Sequence, residues 1–153
     1  MVITLKDWLK RQLDSIISVQ ITQPHSEHAD LVVHSWNGYK IYIHTLDQVP
    51  KTRTIRKALQ DATEIGVGSL FLLDTSILPQ DGHRTRVEEW AQTLHNLTGE
   101  RLYATRTVKG VPEVFQVHLE PLSNGEHMAW YGPLVEFSHL RFFKTSLKQP
   151  RTA

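Results

Sequence analysis

Three groups of side chains in this sequence could do chemistry. In "HSEHAD", His25, His28 and Asp30 offer two imidazoles and a carboxylate at the spacing His-x-x-His-x-Asp, with Glu27 or His44 as a further donor. Neutral imidazole nitrogens and carboxylate oxygens are what a divalent metal takes from a protein. Pro24 and the polar residues around it predict a turn there rather than a helix, so the spacing permits a metal site without imposing one. The loop "DTSILPQDGHR" carries Asp74, Thr75, Ser76, Asp81 and His83 directly after an apolar run. In open α/β sheets ligands sit outside the carboxyl ends of strands, so these hydroxyls and carboxylates could hold a small polar ligand, although the same residue types also build caps and turns. Near the C-terminus, Arg141, Lys144 and Lys148 are interleaved with Phe142 and Phe143, a mixture of charge and stacking surface that single-stranded nucleic acid can use.

Composition weighs against that last chemistry. Seventeen Lys and Arg balance sixteen Asp and Glu, a net charge of +1, so no field spread over the whole molecule draws in a polyanion. Nucleic acid is therefore possible as a partner but not favoured, with Arg101, Arg106 and Arg151 as further basic residues that would add to such a surface. The absence of Cys removes disulfides, thiolate nucleophiles and Cys-based zinc sites together. Ser69 in "GVGSLF" lacks the Gly-x-Ser-x-Gly pattern of a nucleophile elbow and precedes a strand. No phosphate loop, dinucleotide fingerprint or EF-hand pattern occurs. Charges at Lys6, Asp7, Lys10, Arg11 and Asp14 interrupt the opening segment, and no window reaches the roughly 20 apolar residues of a membrane span. The expectation is a soluble, cytoplasmic protein that does not engage membranes.

The elements that must position these groups are marked by periodicity. Leu5, Trp8, Leu9, Leu13, Ile16 and Ile17 recur at helical spacing after Thr4, and "SVQIT" alternates as a strand. "LVVHSW" and "YKIYIH" flank Asn37-Gly38, the dipeptide of a two-residue hairpin turn. That turn pairs Trp36 with Tyr39, sets Asp30 across from Thr45, and sends His44 to the opposite face. Ile55, Ala58, Leu59, Ala62 and Ile65 form the inner stripe of a second helix stopped by Gly66. "SLFLLD" is a continuous apolar run, as suits a central strand covered on both faces. Thr85 and Glu88 form a capping box for a third helix with Val87, Trp90, Ala91, Leu94 and Leu97 inward and Gly99 at its end. Strands then follow at "RLYATRTV", "EVFQVHLE", "HMAWYG" and "LVEFSHLRFF", with turns at Lys109-Gly110 and Ser123-Asn124-Gly125.

The expected fold is therefore α/β: an α-β-β-β-α-β-α core with a mixed sheet, followed by a C-terminal antiparallel β section. One domain spans 1–143 and a loose basic tail spans 144–153. The order of the first elements, with "ADLVVHSWNGYKIYIHT" as strand, turn and strand, resembles the core of the PD-(D/E)XK or restriction endonuclease-like superfamily over about residues 4–75. The resemblance implies a divalent metal held by two acids, with a Lys helping to activate water. Asp30 matches the first acid, but the window Ile43, His44, Thr45, Leu46 holds neither acid nor Lys, so the resemblance is to a degenerate member.

With every catalytic pattern incomplete and every structural signal in place, the leading expectation is a non-catalytic domain with no cofactor. It would bind a protein partner or a second copy of itself, through an edge strand of the C-terminal part. Two alternatives stand beside it. One is a metal-dependent nuclease or hydrolase centred on Asp30 with His44, or with His25 and His28. The other is a small-ligand domain using Asp74, Thr75, Asp81 and His83.

Overall fold

A computed structural model of the chain describes residues 5–14, 19–26, 29–35, 38, 40–98 and 102–135. The elements run α1 (Leu5–Asp14), β1 (Val19–Ser26), β2 (Ala29–Ser35), β3 (Lys40–Leu46), α2 (Thr52–Glu64), β4 (Gly68–Asp74), β5 (Arg84–Thr85), α3 (Glu89–Leu97), β6 (Leu102–Val108), β7 (Val111–Pro121) and β8 (His127–Leu134). A 3-10 turn, Thr75–Ile77, follows β4 directly. The strands form one sheet of eight in the order β1-β2-β3-β4-β6-β7-β8-β5. β4 is parallel to both β3 and β6, and the remaining pairs are antiparallel. This is the mixed α/β architecture with an antiparallel C-terminal part that the alternation of periodicities predicts. Among the described residues no helix is long and apolar enough to cross a membrane.

The sheet is covered on both faces, and β4 shows why its sequence is apolar throughout. Its even positions, Leu70 and Leu72, face α1 and pack with Leu9, Leu13, Leu31 and Ile43. Its odd positions, Phe71 and Leu73, face α2 and α3 and pack with Ile55, Leu59, Trp90 and Leu94. A strand buried on both sides cannot alternate apolar with polar, so the continuous run is the expected pattern. The helices contribute single stripes: Ile55, Leu59 and Ala62 are the buried residues of α2, while Ile65 is 63% exposed and falls outside the stripe read from spacing. Gly66, with φ of 74°, ends that helix as expected.

The turn read at Pro24 is strand instead: β1 runs through Ser26, with Pro24 paired to Leu31 and Ser26 to Ala29, because the ladder with β2 keeps this segment extended. Two further local readings differ from the structure. The β2–β3 hairpin pairs Leu31 with Ile43, Val33 with Ile41 and His34 with Lys40, so the register is shifted by one from that of a two-residue Asn37-Gly38 turn. Burial supplies the reason. The observed register puts Leu31, Val33, Ile41 and Ile43 together on the α1 face, all buried, whereas the two-residue turn would have placed Tyr42 and His44 there instead. Continued by one pair, it sets Asp30 across from His44. These two side chains share a face, against the expectation that His44 points away. The second difference is α3, which begins at Glu89 with Glu88 as an N-cap that makes no side-chain cap bond. The capping box of Thr85 and Glu88 does not form, because Thr85 is held in β5 opposite His127 and Glu88 accepts a hydrogen bond from Trp90 Nε1 at 2.7 Å.

The β6–β7 hairpin follows its turn chemistry. Lys109 and Gly110 have φ of 53° and 81°, the left-handed pair of a two-residue turn. The turn pairs Val108 with Val111 and therefore Arg106 with Glu113. Further along, the β7–β8 pairing slips between Phe115 and Val117: Gly132 and Pro133 on β8 stand against Gln116 alone, a β-bulge. A Cβ on Gly132 would lie 3.3 Å from the Gln116 carbonyl oxygen, so a side chain there would crowd the backbone across the bulge.

Leu73 is 0% exposed at the centre of the larger core. Leu73→Ala is expected to lower unfolding free energy by roughly 2–5 kcal/mol. Ile65→Ala, at the exposed C-cap of α2, should change it by less than about 0.5 kcal/mol. Urea denaturation followed by Trp fluorescence measures both, and equal losses at the two positions would contradict this assignment of the core.

Candidate functional site

Where β4 ends, the chain turns through Thr75–Ile77 and a loop that returns along the outer edge of β8. Each step of that loop is tied down. The Asp74 side chain accepts from Ser76 N–H at 2.9 Å and caps the 3-10 turn. The Tyr131 hydroxyl donates to the Pro79 carbonyl at 2.6 Å, and Asp81 Oδ1 accepts from Tyr131 N–H at 2.8 Å. Gly82 N–H donates to the Ala129 carbonyl, and Ala129 N–H to the His83 carbonyl. The loop thus completes a rigid wall instead of lying free over the sheet.

Between this wall, the end of β6 and the bulged end of β8 lies an open cleft of about 640 Å³, within the usual size range of small-molecule sites. Thr75, Ser76, Gln80 and Asp81 line it from the loop, Arg106 from β6, Phe115 from β7, and Tyr131, Gly132, Pro133 and Leu134 from β8. Its floor is aromatic: the Phe115 and Tyr131 rings are tilted with centroids 5.0 Å apart. Burial, reinforced by the nearby Asp81 carboxylate, pushes the Tyr131 phenol above its ordinary pKa, while Arg106 pulls the other way. Both charges therefore act at the same phenol.

Arg106 is held in place. Its guanidinium lies 5.0 Å from the centroid of the Phe115 ring, and its Nε is 3.4 Å from Glu113 Oε1 across the hairpin. Nη1 and Nη2 make no hydrogen bond among the described residues. A half-exposed guanidinium that lies over an aromatic ring with its terminal fork unused is suited to receiving a planar anion such as a carboxylate. Of the loop residues singled out by sequence, Thr75, Ser76 and Asp81 do line this cleft. Asp74 is consumed as a cap and His83 is exposed outside the lining. Arg106 and the aromatic floor were not linked to this loop by spacing. The signal for them lay in the Lys109-Gly110 turn, which sets Arg106 opposite Glu113, and in Gly132-Pro133 inside a strand, which marks a bulge.

The second corner of interest joins Asp30 and His44. Asp30 Oδ2 accepts from Thr45 N–H at 2.7 Å and from Thr45 Oγ1 at 3.1 Å, so the carboxylate continues the ladder where β2 and β3 part. His44 stacks on Phe71 with ring centroids 4.5 Å apart and 15° between planes. Its Nε2 is buried without a hydrogen-bond partner among the described residues. Burial lowers the His44 pKa from 6.5 to about 4, with the Asp30 charge only partly opposing this. Among the described residues no three His, Asp or Glu side chains gather as a metal would require. His28 lies outside the described residues, as do the side chain of His25, the basic residues Arg141, Lys144 and Lys148, and the tail 144–153. No family model matches the chain, and neither a curated protein nor a solved structure does.

His44 has a consequence for stability against pH. Because its folded pKa lies below its ordinary 6.5, the unfolded chain binds the extra proton as pH falls from 6.5 toward about 4. The associated stability is fully present above the unfolded value and is lost through that window. Between about pH 7.5 and about pH 5, His44 should account for a loss of up to roughly 2 kcal/mol. Urea unfolding of wild type and His44→Phe at both pH values tests this. The variant should show a smaller loss, and identical slopes would mean that His44 titrates normally in the folded state.

Proposed function

We propose that this protein is a non-catalytic α/β domain that binds a small polar molecule in the cleft at the carboxyl end of β4. The observation that carries this reading is the guanidinium of Arg106, oriented by Glu113 and the Phe115 ring with its terminal nitrogens unused. It sits in a cleft of about 640 Å³ beside the hydroxyls of Thr75 and Ser76 and above an aromatic floor. Apolar surface beneath a few fixed polar groups is the usual composition of a ligand site. Its position also follows the rule for open α/β sheets, since β3, β4 and β6 are parallel and the cleft opens beyond their ends.

The other readings have less support. Strand addition at the β8 edge meets a blunted surface: Ala129 and Tyr131 N–H groups are already bonded to the loop, and Pro133 has none to offer. For metal-dependent hydrolysis, Asp30 and His44 do share a face, yet one Asp30 oxygen is committed to Thr45 and Leu46 stands two residues after His44 in place of a Lys. The element order and this pairing support the proposal that the first half is a degenerate relative of the restriction endonuclease-like core. They do not support its chemistry.

A ligand that binds only the folded state raises its stability by about 2.7 kcal/mol at one hundred times its Kd. A thermal-shift screen of small polar metabolites against wild type and Arg106→Gln should therefore give compounds that stabilise the first and not the second. Hits that stabilise both proteins equally would place binding elsewhere and remove the support for the cleft.

A further inference from the structure

Arg106 and Asp81 line the same cleft and act with opposite sign on the same Tyr131 phenol, yet no ion pair joins them. Each is restrained by its own contacts and keeps a free side. Arg106 is fixed through Nε by Glu113 and by the Phe115 ring, leaving its terminal nitrogens. Asp81 is fixed through Oδ1 by Tyr131 N–H, leaving Oδ2 without a partner among the described residues. These two opposite charges flank one aromatic floor in an open cleft, and each keeps a side that a ligand can reach.

Resting on the reading of this cleft as a ligand site, we propose that its ligand is a small zwitterion. The carboxylate sits on the Arg106 fork, the ammonium sits on Asp81 Oδ2, and the carbon skeleton lies on Phe115 and Tyr131. Amino-acid-like molecules are the chemical class that carries both groups on a short apolar frame. The hydroxyls of Thr75 and Ser76 add donors for the second carboxylate oxygen. The arrangement selects against ligands with one charge, because these leave either a guanidinium or a carboxylate facing an uncharged group.

Isothermal titration of the full chain with glycine, β-alanine and γ-aminobutyrate, beside butyrate and butylamine as single-charge controls, tests this directly. One zwitterion is expected to bind at least about tenfold tighter than either control, a difference of about 1.4 kcal/mol. Arg106→Gln should reduce that zwitterion to the level of butylamine, and Asp81→Asn to the level of butyrate. The side-chain amide oxygen that Asp81→Asn introduces can still accept from Tyr131 N–H, so the loop should stay in place, and an unchanged melting temperature confirms it. Butyrate binding as tightly as every zwitterion, with no effect of Asp81→Asn, would overturn the zwitterion and leave an anion site. If none of the series binds while other compounds from the screen depend on Arg106, the ligand class is wrong and the cleft stands. If nothing depends on Arg106, both fail.

Discussion

The burial of β4 on both faces is the constraint from which the rest of this structure follows. A strand with Ser69–Leu73 buried needs helices above and below it and neighbours on each side. α1 supplies one cover and α2 with α3 the other. Because β3 and β6 both lie parallel to it, three strand ends open in one direction, and the chain leaving β4 must turn there. The central strand of the core therefore also decides where the cleft opens.

What makes that position a cleft is the way the C-terminal antiparallel part ends. The bulge at Gly132-Pro133 bends β8, and the loop after β4 runs back along its outer edge. One set of hydrogen bonds serves two purposes. Asp81 and the His83 carbonyl satisfy the outward N–H groups of β8, which protects the edge from pairing with another chain. The same bonds hold Thr75, Ser76 and Asp81 opposite Arg106. Glu113 and Phe115 contact Arg106 in turn, so the polar groups of the cleft stand on strands and a tied loop.

The Asp30–His44 corner shows a different balance. The contacts seen there are structural ones: Asp30 replaces a ladder partner for Thr45, and His44 packs against Phe71. Its Nε2 is a polar atom in an otherwise apolar position, and it makes this part of the fold sensitive to acid.

The three helices and the longer strands were legible in the sequence, because helix and strand periodicity, the apolar run of β4 and the Lys109-Gly110 turn are local properties that survive folding. In contrast, β5 and residues 24–26 of β1 were not, since they are strand only by pairing with β8 and β2. The loop after β4 was legible as a candidate site for the same reason, through its hydroxyl and carboxyl residues. Register was not. Asn37-Gly38 favours a two-residue turn locally, but the burial of Ile41 and Ile43 with Leu31 and Val33 outweighs it, and so Asp30 meets His44. The capping box of Thr85 and Glu88 lost in the same way to pairing with β8. The cleft itself depends on residues far apart in sequence, Asp81, Arg106 and Tyr131, whose approach is set by sheet order and a bulge. Local patterns determined which elements form, and only tertiary packing decided which of their side chains stand together, since long-range burial is the larger energy wherever the two compete.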